Sequence, residues 1–315
     1  MIVAEQLSKR FGPRAAIEEV SLRVARGEVV GFLGPNGAGK TTTLRILAGV
    51  FPPTTGRAFI DGCDVVHDPL AARRRLGYAP ERPALYGEMT VEALLAFAAA
   101  MRDLAGARQR AAIGLAIERA GLEAVRTRRI GALSKGFRQR MGIAVALVGD
   151  PPALLLDEPT AGLDPEQSAE TRRLIRALGT ERAVLVSSHA LAELETISDR
   201  VVILYRGRVL AAEPPASLAR RLRPASRVDI EATAPAAALI AALAAVPGVR
   251  AVEPLPATDG QARCRVELEP ARDVRAALAA RVLERGWGLL ALVPVETSLE
   301  EAFLTLVGRE ERRAS

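Results

Sequence analysis

Residues 34–41, Gly-Pro-Asn-Gly-Ala-Gly-Lys-Thr, decide the fold of this chain. They follow a short apolar run at 28–33 and open a segment of helical character at 39–48. Glycines allow backbone N–H groups to curve around phosphate oxygens, and the N-terminus of the following helix attracts the same anion. A strand, a glycine loop and a helix in this order predict a phosphate-binding loop in an α/β fold.

Each polar residue of this loop has an expected role. Lys40 brings a compact positive charge to the β- and γ-phosphates, Thr41 offers a hydroxyl to Mg²⁺, and Thr42 reaches a phosphate. Lysine and arginine total 43, but only Lys9, Lys40 and Lys135 are lysines, so Lys40 suits a site too narrow for a guanidinium. The predicted ATP-binding residues of the loop are Gly34, Pro35, Asn36, Gly37, Ala38, Gly39, Lys40, Thr41 and Thr42.

A pair of acidic residues ends a second apolar run. Residues 154–158 read Leu-Leu-Leu-Asp-Glu, which places both carboxylates at the carboxyl edge of a parallel sheet, where α/β folds bind ligands. We expect Asp157 to hold Mg²⁺, and Glu158 to orient or deprotonate the attacking water. Taken alone, the pair also fits two solvated acids at a strand end.

Composition excludes several classes of protein. The chain has 315 residues, a net charge of +6 and 49% hydrophobic residues, which are ordinary values for a globular protein. Cys63 and Cys264 lack ligand spacing, so we expect no structural metal and no disulfide framework. The first residues lack a signal-peptide pattern, and the long uncharged stretch at 232–249 is broken by prolines, so we expect no membrane span. The positively charged residues are almost all arginines, so the net positive charge is weak evidence for a nucleic acid partner. We expect no nucleic acid partner.

Two domains are predicted. Residues 1–223 alternate strands and helices, with a helical insertion at about 90–150, and residues 225–315 form a C-terminal accessory domain. Prolines and a basic run mark the boundary between them. The order βαββαβ after the boundary predicts a small α+β module with a ferredoxin-like fold.

A further segment narrows the class. Residues 133–137, Leu-Ser-Lys-Gly-Phe, precede the Asp-Glu pair, and together with the loop at 34–41 they make residues 1–223 resemble the ATP-binding subunits of ABC transporters. The resemblance is to the group that works with ABC-2-type membrane subunits, which includes gliding-motility, sodium-efflux and drug-export ATPases. Residues 297–306 are similar to the usual ending of accessory domains in that group. The implied fold is a P-loop NTPase of the ABC cassette type.

This resemblance implies further site residues. Phe11 corresponds to the aromatic residue that stacks on adenine, and Ser134 and Gly136 correspond to residues that contact the γ-phosphate bound to the other subunit. Residues 162–164 correspond to a loop that crosses the dimer interface, and His189 to a catalytic histidine that senses the γ-phosphate. The alternatives are a Phe11 that only packs against its hairpin and a structural histidine.

The chain departs from the family pattern at two places. Lys135 and Phe137 stand where the common signature, Leu-Ser-Gly-Gly-Gln, has glycine and glutamine. Glu81 stands where the family has a glutamine after the 76–78 strand. Glu81 is within expected reach of Mg²⁺ or the attacking water, and its charge is expected to change the timing of hydrolysis. The alternative is a solvated loop acid.

The resemblance predicts an ATPase that uses ATP and Mg²⁺ and powers transport, with export favoured, through a separate ABC-2-type permease. Two such domains, in a homodimer or a heterodimer, would close head to tail around two ATP molecules at the cytoplasmic face of the membrane. The alternative is a soluble ABC ATPase that acts on ribosomes or DNA, which a single cassette without heptad repeats disfavours. A further alternative is that the accessory domain is a ligand sensor or a dimerisation element. Deletion of residues 225–315 would test this alternative.

Overall fold

The computed structural model describes residues 1–222, 227–257, 260–269 and 274–295. Contacts within the chain divide it into two compact units, Met1–Pro215 and Ala216–Ser315. The predicted boundary lies a few residues later, and the domain limits stay a prediction. Residues 297–306, which are similar to the usual ending of accessory domains, fall outside the described residues.

The first unit contains ten strands and seven complete α-helices among its described residues, with two short 3₁₀ helices at Glu123–Val125 and Ile130–Ala132. The strands are β1 (Ile2–Phe11), β2 (Arg14–Val24), β3 (Val29–Leu33), β4 (Thr55–Ile60), β5 (Cys63–Asp64), β6 (Leu76–Ala79), β7 (Ala153–Leu156), β8 (Ala183–Ser188), β9 (Arg200–Tyr205) and β10 (Arg208–Glu213). The helices are α1 (Lys40–Leu47), α2 (Pro69–Arg74), α3 (Val91–Ala100), α4 (Gly106–Ala120), α5 (Lys135–Leu147), α6 (Pro165–Gly179) and α7 (Leu191–Ile197). A further helix, α8 (Pro215–Leu222), begins at the division between the units.

A six-stranded sheet carries the phosphate loop. Its strand order is β10-β9-β3-β8-β7-β6, and every neighbouring pair is parallel except β10 and β9. β3, β7 and β8 are buried along their whole length, which explains why their sequences are continuous apolar runs. The parallel pairing brings the carboxyl ends of β3, β7 and β8 to one edge, so residues far apart in sequence meet there. The α/β prediction is confirmed.

An antiparallel sheet of order β2-β1-β4-β5 packs against the same core. Buried side chains of β1, β3 and α1, such as Ile2, Phe32 and Leu44, belong to one apolar cluster. This cluster fixes the start of α1, and with it the phosphate loop, between two sheets.

Helices α3, α4 and α5 form the expected helical insertion. Thr90 Oγ1 accepts a hydrogen bond from Ala93 N at 3.2 Å and caps α3, and Gly121, with φ 62°, ends α4 in the left-handed conformation. The short elements β5, α2 and β10 were not predicted. α2 begins with an Asp68 cap and a proline, a start signal that the sequence does contain.

The second unit has the predicted βαββαβ order. Its elements are β11 (Arg227–Thr233), α9 (Ala236–Ala244), β12 (Val249–Leu255), β13 (Ala262–Leu268), α10 (Arg275–Glu284) and β14 (Gly288–Val295). The strands form an antiparallel sheet of order β12-β13-β11-β14, which is the ferredoxin-like arrangement. Leu239 and Leu278 of the two helices pack with the buried residues of the sheet. No helix within the described parts of the chain is long and apolar enough to cross a membrane.

Candidate functional site

A cavity of about 680 Å³ opens at the carboxyl edge of the six-stranded sheet. It brings together residues that the sequence analysis named separately. Seven of the nine residues of the 34–42 loop line it, together with Phe11, Glu81, Glu158 and His189. Gly34 and Ala38 support the loop from behind, since a Cβ atom at Gly34 would stand 2.4 Å from Leu204 O. The volume is of the size that small-molecule sites have.

Lys40 is the charged centre of the cavity. Its side chain is only 6% exposed, and its Nζ donates to Gly34 O at 2.6 Å. The same Nζ lies 3.2 Å from Glu158 Oε1. Helix α1 begins at Lys40, so its N-terminal N–H groups and the lysine ammonium face the same space. This arrangement attracts a polyphosphate.

Asp157 is almost completely buried at the end of β7. Thr41 Oγ1 donates to Asp157 Oδ1 at 3.4 Å, and Ser187 Oγ donates to the same oxygen at 2.7 Å. Burial raises the pKa of Asp157, the nearby charges of Glu158 and Glu81 raise it further, and the bonds from Ser187 and Thr41 oppose that rise. A divalent cation beside Thr41 would stabilise the buried negative charge of Asp157. The donor set therefore fits Mg²⁺, with phosphate oxygens and water as its further ligands.

Within the described residues, no group of three or more His, Cys, Asp or Glu side chains converges to hold a metal ion unaided. A magnesium ion at Thr41 and Asp157 would therefore need oxygen ligands from the nucleotide, which is how Mg²⁺ is bound in triphosphatases.

Glu158 adopts a backbone conformation that is rare for a side chain other than glycine. Its φ is 48°, and its N–H donates to Ser187 Oγ at 2.9 Å. Such conformations cost on the order of 1–3 kcal/mol and persist where surrounding contacts impose them. In this chain, the conformation of Glu158 directs its carboxylate into the cavity, between Lys40 and His189.

His189 contacts the Glu158 carboxylate directly. Its Nδ1 lies 2.9 Å from Glu158 Oε2, and it stands just beyond the end of β8. The half-exposed ring lines the cavity, so the histidine faces both the Glu158 carboxylate and the open space beside Lys40.

Phe11 lines the far end of the cavity and is 52% exposed. Its ring meets the Phe51 ring edge to face at 5.8 Å, and Lys9 Nζ lies 5.4 Å from its centroid. A half-exposed ring held by two neighbours presents a flat face for stacking. The packing partner of Phe11 is Phe51, which follows α1 and lies outside the β1–β2 hairpin, so the structure shows packing but not the hairpin contact of the alternative.

The structure separates Ser134 and Gly136 from this cavity. Ser134 caps α5 and accepts from Phe137 N at 3.4 Å, while Gly136 packs against α6, where a Cβ atom would stand 2.0 Å from Gln167 Oε1. Neither lines the cavity that contains Lys40. Lys135 lies against Gly162, so the two loops predicted to face a partner are neighbours within one chain.

Three residues that contact or lie beside the predicted site residues were not predicted from the sequence. Ser187 bridges Asp157 and the backbone of Glu158, and Phe51 supports Phe11. Glu193 joins Thr160 and Ser188. A serine pair before the histidine was visible in the sequence, but its bonding depends on the pairing of β7 with β8, which no local pattern encodes.

A P-loop nucleoside triphosphatase is the class that this fold and site define. The family model described as "ABC transporter" matches residues 17–161. The chain is 38% identical over 225 residues to the bacitracin transport ATP-binding protein BcrA of Bacillus licheniformis, covering 71% of this chain and 72% of BcrA. The chain therefore belongs to the family of ABC transporter ATP-binding proteins, and it is an ATP-binding, ATP-hydrolysing cassette.

Two further comparisons agree. The probable multidrug ABC transporter ATP-binding protein YbhF of Escherichia coli (strain K12) is 38% identical over 219 residues, which are 69% of this chain but only 38% of YbhF. The dimeric structure of MJ0796, a bacterial ABC transporter cassette, superimposes with a TM-score of 0.62 and 26% identity, covering 68% of this chain and 99% of MJ0796. The predicted ABC cassette is confirmed.

Proposed function

We propose that this chain hydrolyses ATP to drive export through a separate ABC-2-type membrane subunit, as a peripheral protein at the cytoplasmic face of the membrane. The observation that carries the catalytic part is the convergence of Lys40, Glu158 and His189 in one cavity. The relatives BcrA and YbhF are named for bacitracin transport and multidrug transport, which favours export over a soluble ATPase that acts on ribosomes or DNA.

In this proposal, the residues of the cavity divide the work. Lys40 and the loop N–H groups bind the β- and γ-phosphates, with Thr42 as a further phosphate contact. Glu158 accepts a proton from the attacking water, and His189 orients the Glu158 carboxylate and contacts the γ-phosphate. Thr41 and Asp157 hold Mg²⁺, which neutralises phosphate charge when bound.

Adenine stacking on Phe11 predicts a specific loss. Phe11→Ala should raise the KM for ATP by about tenfold, since base–aromatic stacking contributes roughly 1–3 kcal/mol per base. Phe11→Tyr should restore it. Steady-state kinetics would show this, with Phe59→Ala as the control because Phe59 packs with Arg57 and does not line the cavity. An unchanged KM in Phe11→Ala would leave Phe11 only its packing role.

Glu81 is the third proposed contributor to the metal site. It lines the cavity, and its charge acts on Asp157. Glu81→Gln should raise the Mg²⁺ concentration for half-maximal hydrolysis several-fold, since one anionic oxygen is lost. Glu88→Gln is the matched control, because Glu88 lies in the same loop with a side chain 95% exposed. Equal Mg²⁺ dependence in both variants would make Glu81 a solvated loop acid.

We further propose that two cassettes form a dimer, either homomeric or heteromeric. Ser134 and Gly136 lie outside the cavity of their own chain, and Ser134 is exposed at the N-terminus of α5. A helix N-terminus of this kind favours an anion, and the proposed anion is the γ-phosphate bound to the other chain. MJ0796, a cassette of the same fold, has been solved as a dimer.

The membrane subunit is proposed to bind beside the Glu81 loop. Tyr86, Phe97 and Met101 are exposed there, and the Tyr86 and Phe97 rings meet edge to face at 6.1 Å. Exposed apolar patches of this kind mark interaction sites. We expect closure of the cassettes to move this surface and the helical insertion together.

Reconstitution with an ABC-2-type permease tests the proposal. The permease in proteoliposomes should stimulate ATP hydrolysis, and Tyr86→Glu should remove the stimulation while basal hydrolysis stays unchanged, because a charge would be buried at the interface. Leu70→Glu, which alters another exposed apolar residue, on α2, should leave the stimulation intact. Stimulation that survives Tyr86→Glu would contradict the docking surface.

A further inference from the structure

The carboxylate of Glu193 joins two segments that carry the catalytic side chains. Its Oε2 accepts a hydrogen bond from Thr160 Oγ1 at 2.7 Å and another from Ser188 Oγ at 2.9 Å. Thr160 lies two residues after Glu158, and Ser188 directly precedes His189. One oxygen atom of α7 therefore connects the segment after β7 to the last residue of β8.

Both donors of this junction are buried. Thr160 is 6% exposed and Ser188 is 2% exposed, so neither hydroxyl has ready access to water in place of Glu193. A buried hydroxyl that loses its acceptor is destabilising, because water does not replace the lost hydrogen bond. Both hydroxyls therefore stay bonded to Glu193, which holds the two segments together. Bonds to a carboxylate are also among the stronger hydrogen bonds in proteins.

The junction is continuous with the catalytic contact. Ser188 Oγ also accepts from Ala190 N at 3.0 Å, which bends the backbone around His189. His189 Nδ1 in turn lies 2.9 Å from Glu158 Oε2. The pair Glu158 and His189 is thus held at two points, once by its own contact and once through Thr160, Glu193 and Ser188.

We propose that Glu193 is a positioning residue for hydrolysis, which fixes the Glu158 and His189 segments relative to each other and transmits movement of the histidine to residues 160–164. The proposal rests on the catalytic roles proposed for Glu158 and His189. Residues 160–164 lead into α6, whose cap is Asp164, and they include the loop expected to face a partner chain. Glu193 therefore also connects phosphate sensing by His189 to the loop at the dimer interface.

Removal of the carboxylate gives the first test. Glu193→Ala should lower kcat for ATP hydrolysis by about tenfold or more, because small displacements of catalytic groups have large effects on rate. The KM for ATP should change by less than about threefold, since Glu193 does not line the cavity. Glu193→Gln should recover most of the kcat, because its amide oxygen still accepts from both hydroxyls.

The matched control is Glu195→Ala, on the same helix and exposed. Its kcat should equal that of the unmodified chain. Thr160→Val should lower kcat as Glu193→Ala does. The double variant should be no slower than the slower single variant, since both substitutions break the same connection from Thr160 through Glu193 to Ser188. Thermal unfolding of each variant verifies that it is folded.

The outcomes separate this proposal from the proposed function. If Glu193→Ala keeps full kcat, or if its loss adds to that of Thr160→Val, the positioning role is overturned, whereas the proposed function stands as long as Glu158→Gln, which removes the proposed general base, loses ATP hydrolysis. If Glu158→Gln keeps its activity, the proposed function fails on its own. A Glu193→Ala variant that raises KM and leaves kcat unchanged would also overturn the proposal.

Discussion

Glu158→Gln should abolish ATP turnover and leave ATP binding intact. Glutamine has the same shape and still meets Lys40 and His189 by hydrogen bonds, but it does not accept the proton of the attacking water. Loss of a general base lowers rates by about 10²–10⁴-fold. Phosphate release and nucleotide binding, measured on the same preparation, would show the two effects separately.

The control for this variant is Glu118→Gln, an exposed acid on α4 outside the cavity. It should hydrolyse ATP at the unmodified rate. With turnover removed, Glu158→Gln should also accumulate as an ATP-bound dimer in sedimentation experiments. Hydrolysis at the unmodified rate in Glu158→Gln would contradict the role of this carboxylate.

Lys40→Ala should remove both binding and turnover. The ammonium is buried and is the one lysine that lines the cavity, so its loss deprives the phosphates of a charge and leaves Glu158 without its cation. Hydrogen bonds to charged groups contribute about 1.5–3 kcal/mol each, so affinity for ATP should fall by roughly 10–100-fold. Equilibrium binding of a fluorescent ATP analogue would measure the loss.

Lys40→Arg is the informative companion to this variant. It keeps the positive charge, but the 34–39 backbone encloses the side chain, and a planar guanidinium is wider than an ammonium. We therefore expect Lys40→Arg to be defective as well. Unmodified binding in Lys40→Arg would show that charge alone is required and that the narrow loop does not select lysine.

The parts of the fold with local signals were predicted from sequence. The strand, glycine loop and helix at 28–48, the helical insertion at about 90–150 and the βαββαβ order all depend on short-range patterns, and each is present. Short elements such as β10 were missed because a few residues carry too little periodicity to identify them.

The site was predicted as a set of residues but not as a network. Thr41 and Asp157 are 116 positions apart, and their contact follows from the placement of β3, β8 and β7 side by side in the sheet. The roles of Ser187 and Glu193 arise from the same tertiary pairing. Side chains of ordinary type at such positions carry no signal of their own in one sequence.

We propose that Lys40 of one chain and Ser134 of another meet the same γ-phosphate. This proposal is tested most directly by mixing two inactive variants, Lys40→Ala and Ser134→Arg, and measuring ATP hydrolysis. Each variant alone has both of its composite sites damaged, whereas a mixed dimer has one site with an intact loop and an intact Ser134.

The account predicts that the equimolar mixture recovers roughly a quarter of the unmodified specific activity, since half of the dimers are mixed and each has one intact site. A mixture that is no more active than the two variants measured separately would contradict it.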